Sequence, residues 1–200
     1  LAFMDLAEAT GDAAWWHRGA ALVGEIRSRF VAEVEGVLAF YIAASDARDP
    51  LVYRPESHHD GATPSGAAMA IEAMLRLGLV GGDAEMLAYA ERALAERVSA
   101  GLAATAQARW LCALDLYLGG QVLVVTDGAG RDALLSAARR AYAPTLQLAG
   151  PWAAPSILDG KTPGADGHAR AFLCRGPTCS PPASTSAELG ALLAGGPPSG

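Results

Sequence analysis

Apolar and small residues recur at spacings of three and four along the first 118 positions, and this period predicts helices. In residues 1–30 a first helix ends near Thr10-Gly11, and Asp12 is placed to cap a second. Trp15, Gly19, Leu22, Ile26 and Phe30 share one face of that second helix. Residues 64–98 repeat the plan. Pro64 suits the first turn of a helix running to Leu77. Only Glu72 and Arg76 interrupt its apolar run, and their i,i+4 spacing predicts a narrow wet stripe. Gly81-Gly82 then breaks the chain, Asp83 caps, and Leu87, Ala90, Leu94 and Val98 form the expected inner face. A further helix is predicted over 103–118, with Ala106, Trp110, Ala113, Leu114 and Tyr117 inward and Cys112 in the core.

The two hairpins agree in register. Leu6, Gly11, Asp12 and Ala13 match Leu77, Gly82, Asp83 and Ala84, and Trp16 with Leu87 and Gly19 with Ala90 follow beyond each Asp. Hairpins repeated about a Gly-Asp turn suggest a helical toroid or solenoid.

The pattern changes at Gln121. Gln121 to Thr126 is a β-branched run, Asp127-Gly128-Ala129-Gly130 a turn, Arg131 to Tyr142 helical, and Thr145 to Leu148 a second strand. Strand, helix, strand in this order favours a parallel pair. Gly150 to Gly167 reads as loop, Ala169 to Cys174 as a third strand and Ser186 to Leu193 as a last helix. The expected fold is therefore mostly α. Helical hairpins of a partial (α/α) toroid occupy 1–118, a small α/β unit 119–194 and a disordered tail 195–200.

Composition supports a helical core and narrows the function. Hydrophobic residues are 52% and aromatics 6%, so the apolar content is largely alanine, which favours helix. A net charge of −6 without a basic, aromatic-interleaved patch argues against nucleic acid. The longest apolar run, Gly36 to Ala44, is too short for a membrane span. No charged segment precedes an apolar one at the start, and three cysteines make no secreted disulfide framework. A reducing cytoplasm is the expected setting.

Asp60-Gly61-Ala62-Thr63-Pro64-Ser65-Gly66, followed by an apolar helix ending Leu75-Arg76-Leu77, resembles a signature of the thioredoxin-domain-containing proteins of the YyaL and spermatogenesis-associated type. Their closing Cys-x4-Cys segment is similar to Ala171-Phe172-Leu173-Cys174-Arg175-Gly176-Pro177-Thr178-Cys179, ahead of a final helix with Glu188-Leu189. The strand Gln121 to Thr126 and Tyr142-Ala143-Pro144 fall between them in family order. The resemblance implies a parent with an N-terminal thioredoxin-like domain, which would be the partner of this chain. It also implies an (α/α) toroid similar to N-acylglucosamine epimerases and six-hairpin glycosidases, and with it a carbohydrate ligand and no cofactor. Residues 1–118 supply about five helices, fewer than a closed toroid needs, so the chain is read as a C-terminal fragment without a complete active site. Its unpartnered faces are expected to make it self-associate or be marginally stable. The family's Asn after Pro-Ser-Gly is Ala67 here, which removes whatever hydrogen bonds that amide makes.

In a toroid the Gly-Asp turns close one end, so the long connection from Val31 to Thr63 lies at the other, where binding groups gather. Asp60 and His59 are the candidate catalytic residues and Arg54 and Tyr53 the candidate substrate-binding ones, because sugar chemistry needs proton carriers and hydroxyl partners. The competing reading is a solvated loop in which Asp60 fixes the turn before the Pro64 helix. Adjacent His58 and His59 cannot both face one site in an extended strand, and no metal site is expected. Cys174 and Cys179 are a candidate redox pair if residues 175–178 turn back; otherwise they are two ordinary thiols. Asp127-Gly128-Ala129-Gly130 lacks the spacing of a nucleotide loop and reads as a plain turn.

Overall fold

A computed structural model describes residues 1–48, 52–56 and 58–195. The chain is mostly α and divides into two compact units, Leu1–Leu118 and Gly119–Gly200. The tail expected to be disordered lies, from residue 196 on, outside the described residues.

In the first unit α1 (Ala2–Thr10) and α2 (Ala13–Phe30) form one hairpin, and α3 (Gly66–Leu79) and α4 (Ala84–Ser99) another. Both turn on the same device. Gly11 and Gly82 adopt left-handed φ values of 77° and 72°, which suit glycine. Asp12 then accepts from the Ala14 N–H, and Asp83 from the Met86 N–H, capping the following helices. Each hairpin also has one close glycine approach. Gly19 of α2 meets Met4, and Gly78 of α3 lies against Leu87, whose Cβ is only 2.5 Å from where a Gly78 Cβ would stand.

Several details differ from the sequence reading. The buried face of α2 is Trp16, Gly19 and Val23; Leu22 is exposed and Trp15 stacks on Phe3 instead. In α4, Met86, Ala90, Ala93 and Leu94 are buried while Val98 is exposed. Helix α3 starts at Gly66 because Ser65, not Pro64, takes the capping position and accepts from the Ala68 N–H. No wet stripe runs along α3. Arg76 is only 5% exposed and bonds Asp5 at 2.6 Å and Glu8 at 2.7 Å on α1, while Glu72 pairs with Arg109 of α5 (Ala108–Gly119). The two charges on α3 tie it to its neighbours instead of facing water. Helix α5 starts five residues later than expected, because Gln107 folds its side chain back onto the Ala103 N–H and closes a turn there. Cys112, expected in the core, is exposed, since the inward residues of α5 are Trp110, Ala113 and Leu116.

The long connection between α2 and α3 opens with a β-hairpin. Strand β1 (Val31–Val34) pairs with β2 (Val37–Phe40) across Glu35-Gly36. Both turn residues have positive φ, 52° and 80°, as a type I′ turn requires.

In the second unit β3 (Gln121–Val125), α6 (Arg131–Arg140) and β4 (Leu146–Leu148) make the expected parallel pair. Strand β5 (Ala171–Arg175) runs antiparallel to β3 on its other side, and β6 (Thr178–Cys179) adds the edge. Between β4 and β5 lies a short helix, α7 (Pro155–Leu158), within the segment read as loop. The closing helix α8 (Ser186–Leu193) starts at a capping box, Thr185 with Glu188. Leu123, Val125, Leu134, Ala171, Leu173 and Leu189 form the core between this sheet and α6 and α8.

Candidate functional site

Two residues of α4 hold the β1–β2 hairpin in place. Arg92 Nη2 donates to the Gly36 carbonyl at 2.6 Å, and both Arg92 Nη atoms lie 3.1 Å from the Glu33 carboxylate. Glu96 accepts from the Leu38 N–H at 2.9 Å and from Arg92 Nε at 2.8 Å. With the hairpin fixed, the chain returns along it. Tyr41 bridges to Glu56, and the Ile42 N–H donates to the Pro55 carbonyl. This pairing sets Glu56 and His58 beside the last turns of α4 and the start of α5.

A cavity of about 120 Å³ results, lined by Leu38, Phe40, Glu56, His58, Glu96, Arg97 and Trp110 among others. It lies at the end of α4 remote from the Gly82-Asp83 turn. His58 Nε2 is 3.2 Å from Glu56 Oε2, and its ring centroid is 6.2 Å from that of Trp110. Arg97 Nη2 donates to the Gly101 carbonyl at 3.1 Å. Among the described residues, three buried nitrogens of the lining residues have no partner: His58 Nδ1, Arg97 Nε and Trp110 Nε1. Trp110 is only 1% exposed, and an indole N–H left without an acceptor at such a position is costly. Burial pushes the His58 imidazole below its ordinary value; Glu56 works against that shift, and Arg97 and His59 add to it.

The four residues singled out in the sequence are not gathered into this cavity. Asp60 uses both carboxylate oxygens on backbone N–H groups, those of Ser65 and Arg109, each at 2.8 Å. These bonds hold its carboxyl below the usual range. Arg54 donates to the Ala43 and Arg29 carbonyls and lies 4.0 Å from the Tyr41 ring centroid. Tyr53 is 72% exposed and His59 is exposed. The neighbours Glu56 and His58 line the cavity instead. Sequence reasoning missed Glu96, Arg97 and Trp110. Their signal was a polar pair just after inner-face Leu94, at the same end as the long connection.

In the second unit Cys174 and Cys179 are joined by a disulfide. They stand directly opposite each other in the β5–β6 ladder, with Cα atoms 3.9 Å apart, below the ~4.4–6.8 Å usual for a disulfide. Cys179 is exposed, whereas Cys174 is only 6% exposed. Among the described residues no group of three or more His, Cys, Asp or Glu side chains converges to hold a metal ion. None of the described helices is long and apolar enough to cross a membrane.

Compared with known proteins, the chain matches no family model and no curated protein.

Proposed function

We propose that the chain is the C-terminal part of a thioredoxin-domain-containing protein of the YyaL and spermatogenesis-associated type, and that its first unit is a segment of an (α/α) toroid serving as a carbohydrate-binding scaffold. The observation that carries the reading is the cavity at the end of α4, lined by Trp110, Arg97, Glu96 and the Glu56–His58 pair. Aromatic and Arg groups beside His and Glu suit hydroxyl-rich ligands. The repeated Gly-Asp hairpins support the toroid, whose ligand end lies away from those turns. The Cys174–Cys179 pair makes the scaffold redox-regulated: in a cytoplasmic protein a disulfide is transient and sensing, and the parent's thioredoxin-like domain is the partner that reduces it.

A second reading is a sugar isomerase, epimerase or hydrolase. The His58–Glu56 pair favours it, being an imidazole oriented by a carboxylate as proton-transfer sites require. The test common to both is titration with neutral mono- and disaccharides, followed through the Trp110 indole N–H resonance. Binding without turnover supports the scaffold, and interconversion or cleavage the enzyme. No perturbation by any saccharide removes both.

A further inference from the structure

Beside the Cys174–Cys179 bond runs a groove of about 510 Å³, walled by Leu173, Arg175, Thr178, Cys179, Pro181 and Leu192 among others. The two cysteines do not stand equally to it. Cys179 is exposed and lines the groove, whereas Cys174 is 6% exposed and is not among the described lining residues. Access helps decide which sulfur of a disulfide is attacked. A thiolate seated in the groove therefore meets the bond at Cys179. Charge narrows the occupant. Among the described lining residues Arg175 is the only charged one, and no carboxylate accompanies it there. Its guanidinium donates to Gln121 Oε1 at 3.3 Å, a neutral partner that leaves the positive charge in place. Leu173, Pro181 and Leu192 give the walls apolar surface. The volume falls within the ~300–1,000 Å³ of small-molecule sites. Such a groove suits a small thiol carrying a net negative charge beside its sulfur.

Resting on the redox reading of this pair above, we infer that the groove docks a small carboxylate-bearing thiol, which opens the disulfide by attack on Cys179. Arg175 is the residue that holds the carboxylate. The incoming thiolate forms a new S–S bond to Cys179 Sγ. The Cys174–Cys179 bond breaks, and its electron pair stays on Cys174 Sγ, which takes a proton from water. The incoming sulfur is oxidised and the Cys174 sulfur reduced. The product is a mixed disulfide at Cys179 beside a free thiol at Cys174, whose return attack re-closes the pair when the small thiol is removed.

The test treats the whole oxidised chain, near neutral pH and at low ionic strength, with glutathione, 2-mercaptoethanol or cysteamine. Apart from the sulfur, these carry net charges of minus one, zero and plus one. Opening is followed by acid quench and peptide mass spectrometry. Each rate is taken per thiolate and divided by the same thiol's rate on an unstructured cystine peptide, which removes intrinsic reactivity. Glutathione should exceed cysteamine about tenfold, with 2-mercaptoethanol between, as expected for a nearby surface charge. The first adduct should sit on Cys179. Arg175→Gln should erase the preference and Arg175→Lys keep it. Pro181→Glu, which sets a carboxylate in the wall at an exposed position, should reverse it. Equal relative rates for the three thiols, a preference that survives Arg175→Gln, or glutathione found first on Cys174 overturns the inference. If the small thiols leave the bond closed and a thioredoxin opens it, the inference fails while the redox reading stands. If neither the thiols nor a thioredoxin opens it in the folded chain, the redox reading itself falls.

Discussion

Removing the Asp60 carboxylate should destabilise the first unit and leave the cavity's chemistry unchanged. One oxygen accepts the Ser65 N–H at the entry to α3 and the other the Arg109 N–H at the start of α5, so a single side chain staples two helix starts. Hydrogen bonds to a charged acceptor contribute about 1.5–3 kcal/mol each, and a lost helix cap costs about 1 kcal/mol. Because Asp60 is half-buried, the lower figures apply, and Asp60→Ala should cost about 2–3 kcal/mol. Asp60→Asn keeps one acceptor oxygen and should cost about half as much. In a unit of this size the alanine change corresponds to a melting shift of roughly 8–12 °C. The sign with pH follows from the depressed carboxyl. Its stabilisation is complete above the unfolded-state value of about 3.9 and is lost as pH falls through the lower folded value. The gap between wild type and Asp60→Asn should stay constant from neutral pH down to about 5 and close in stronger acid. Urea unfolding in a Trp152→Phe background isolates the first unit, since Trp15, Trp16 and Trp110 all lie within it. A loss below about 0.5 kcal/mol for Asp60→Ala would refute the staple and return Asp60 to the list of chemically available groups.

Gly78→Ala should cost about 1–3 kcal/mol by urea unfolding, because the new Cβ meets the Leu87 Cβ at 2.5 Å and its Cα at 3.0 Å, so the α3–α4 contact must open. Arg76→Ala should cost about 3 kcal/mol by the same assay, since Glu8 loses a close, mostly buried partner; the loss of exposed Asp5 as a partner should add little. Iodoacetamide on the native, non-reduced chain should label Cys112 alone; after reduction Cys179 should label faster than Cys174, as peptide mass spectrometry will show.

Elements whose pattern is local were legible in the sequence. The Gly-Asp turns, the period of α2 through α4, and the strand-helix-strand order after Gln121 rest on neighbouring residues, and each appears within a few positions of its expected place. Elements decided by distant partners were not. The β1–β2 hairpin depends on Arg92 and Glu96 from another helix, and its turn carries Glu35 where a type I′ turn more often has Asn or Asp. The α3 charges looked wet because Asp5, Glu8 and Arg109, which cover them, lie far along the chain. The same limit governed the site. Asp60, His59, Arg54 and Tyr53 were chosen by residue type and position on a long connection. Bonding reserves Asp60 and Arg54 for backbone groups, and the cavity takes Glu56 and His58 with residues of α4 and α5.

The four-stranded sheet ends on very short strands, three residues at β4 and two at β6. Such edges offer few unpaired N–H and C=O groups to another chain, which protects the sheet from strand-to-strand aggregation. Two residues of ladder hold little by themselves, and the covalent bond between directly opposed Cys174 and Cys179 fixes them in register. Cutting that bond would turn the outer margin of β5 from a sealed border into a template on which a foreign strand can build.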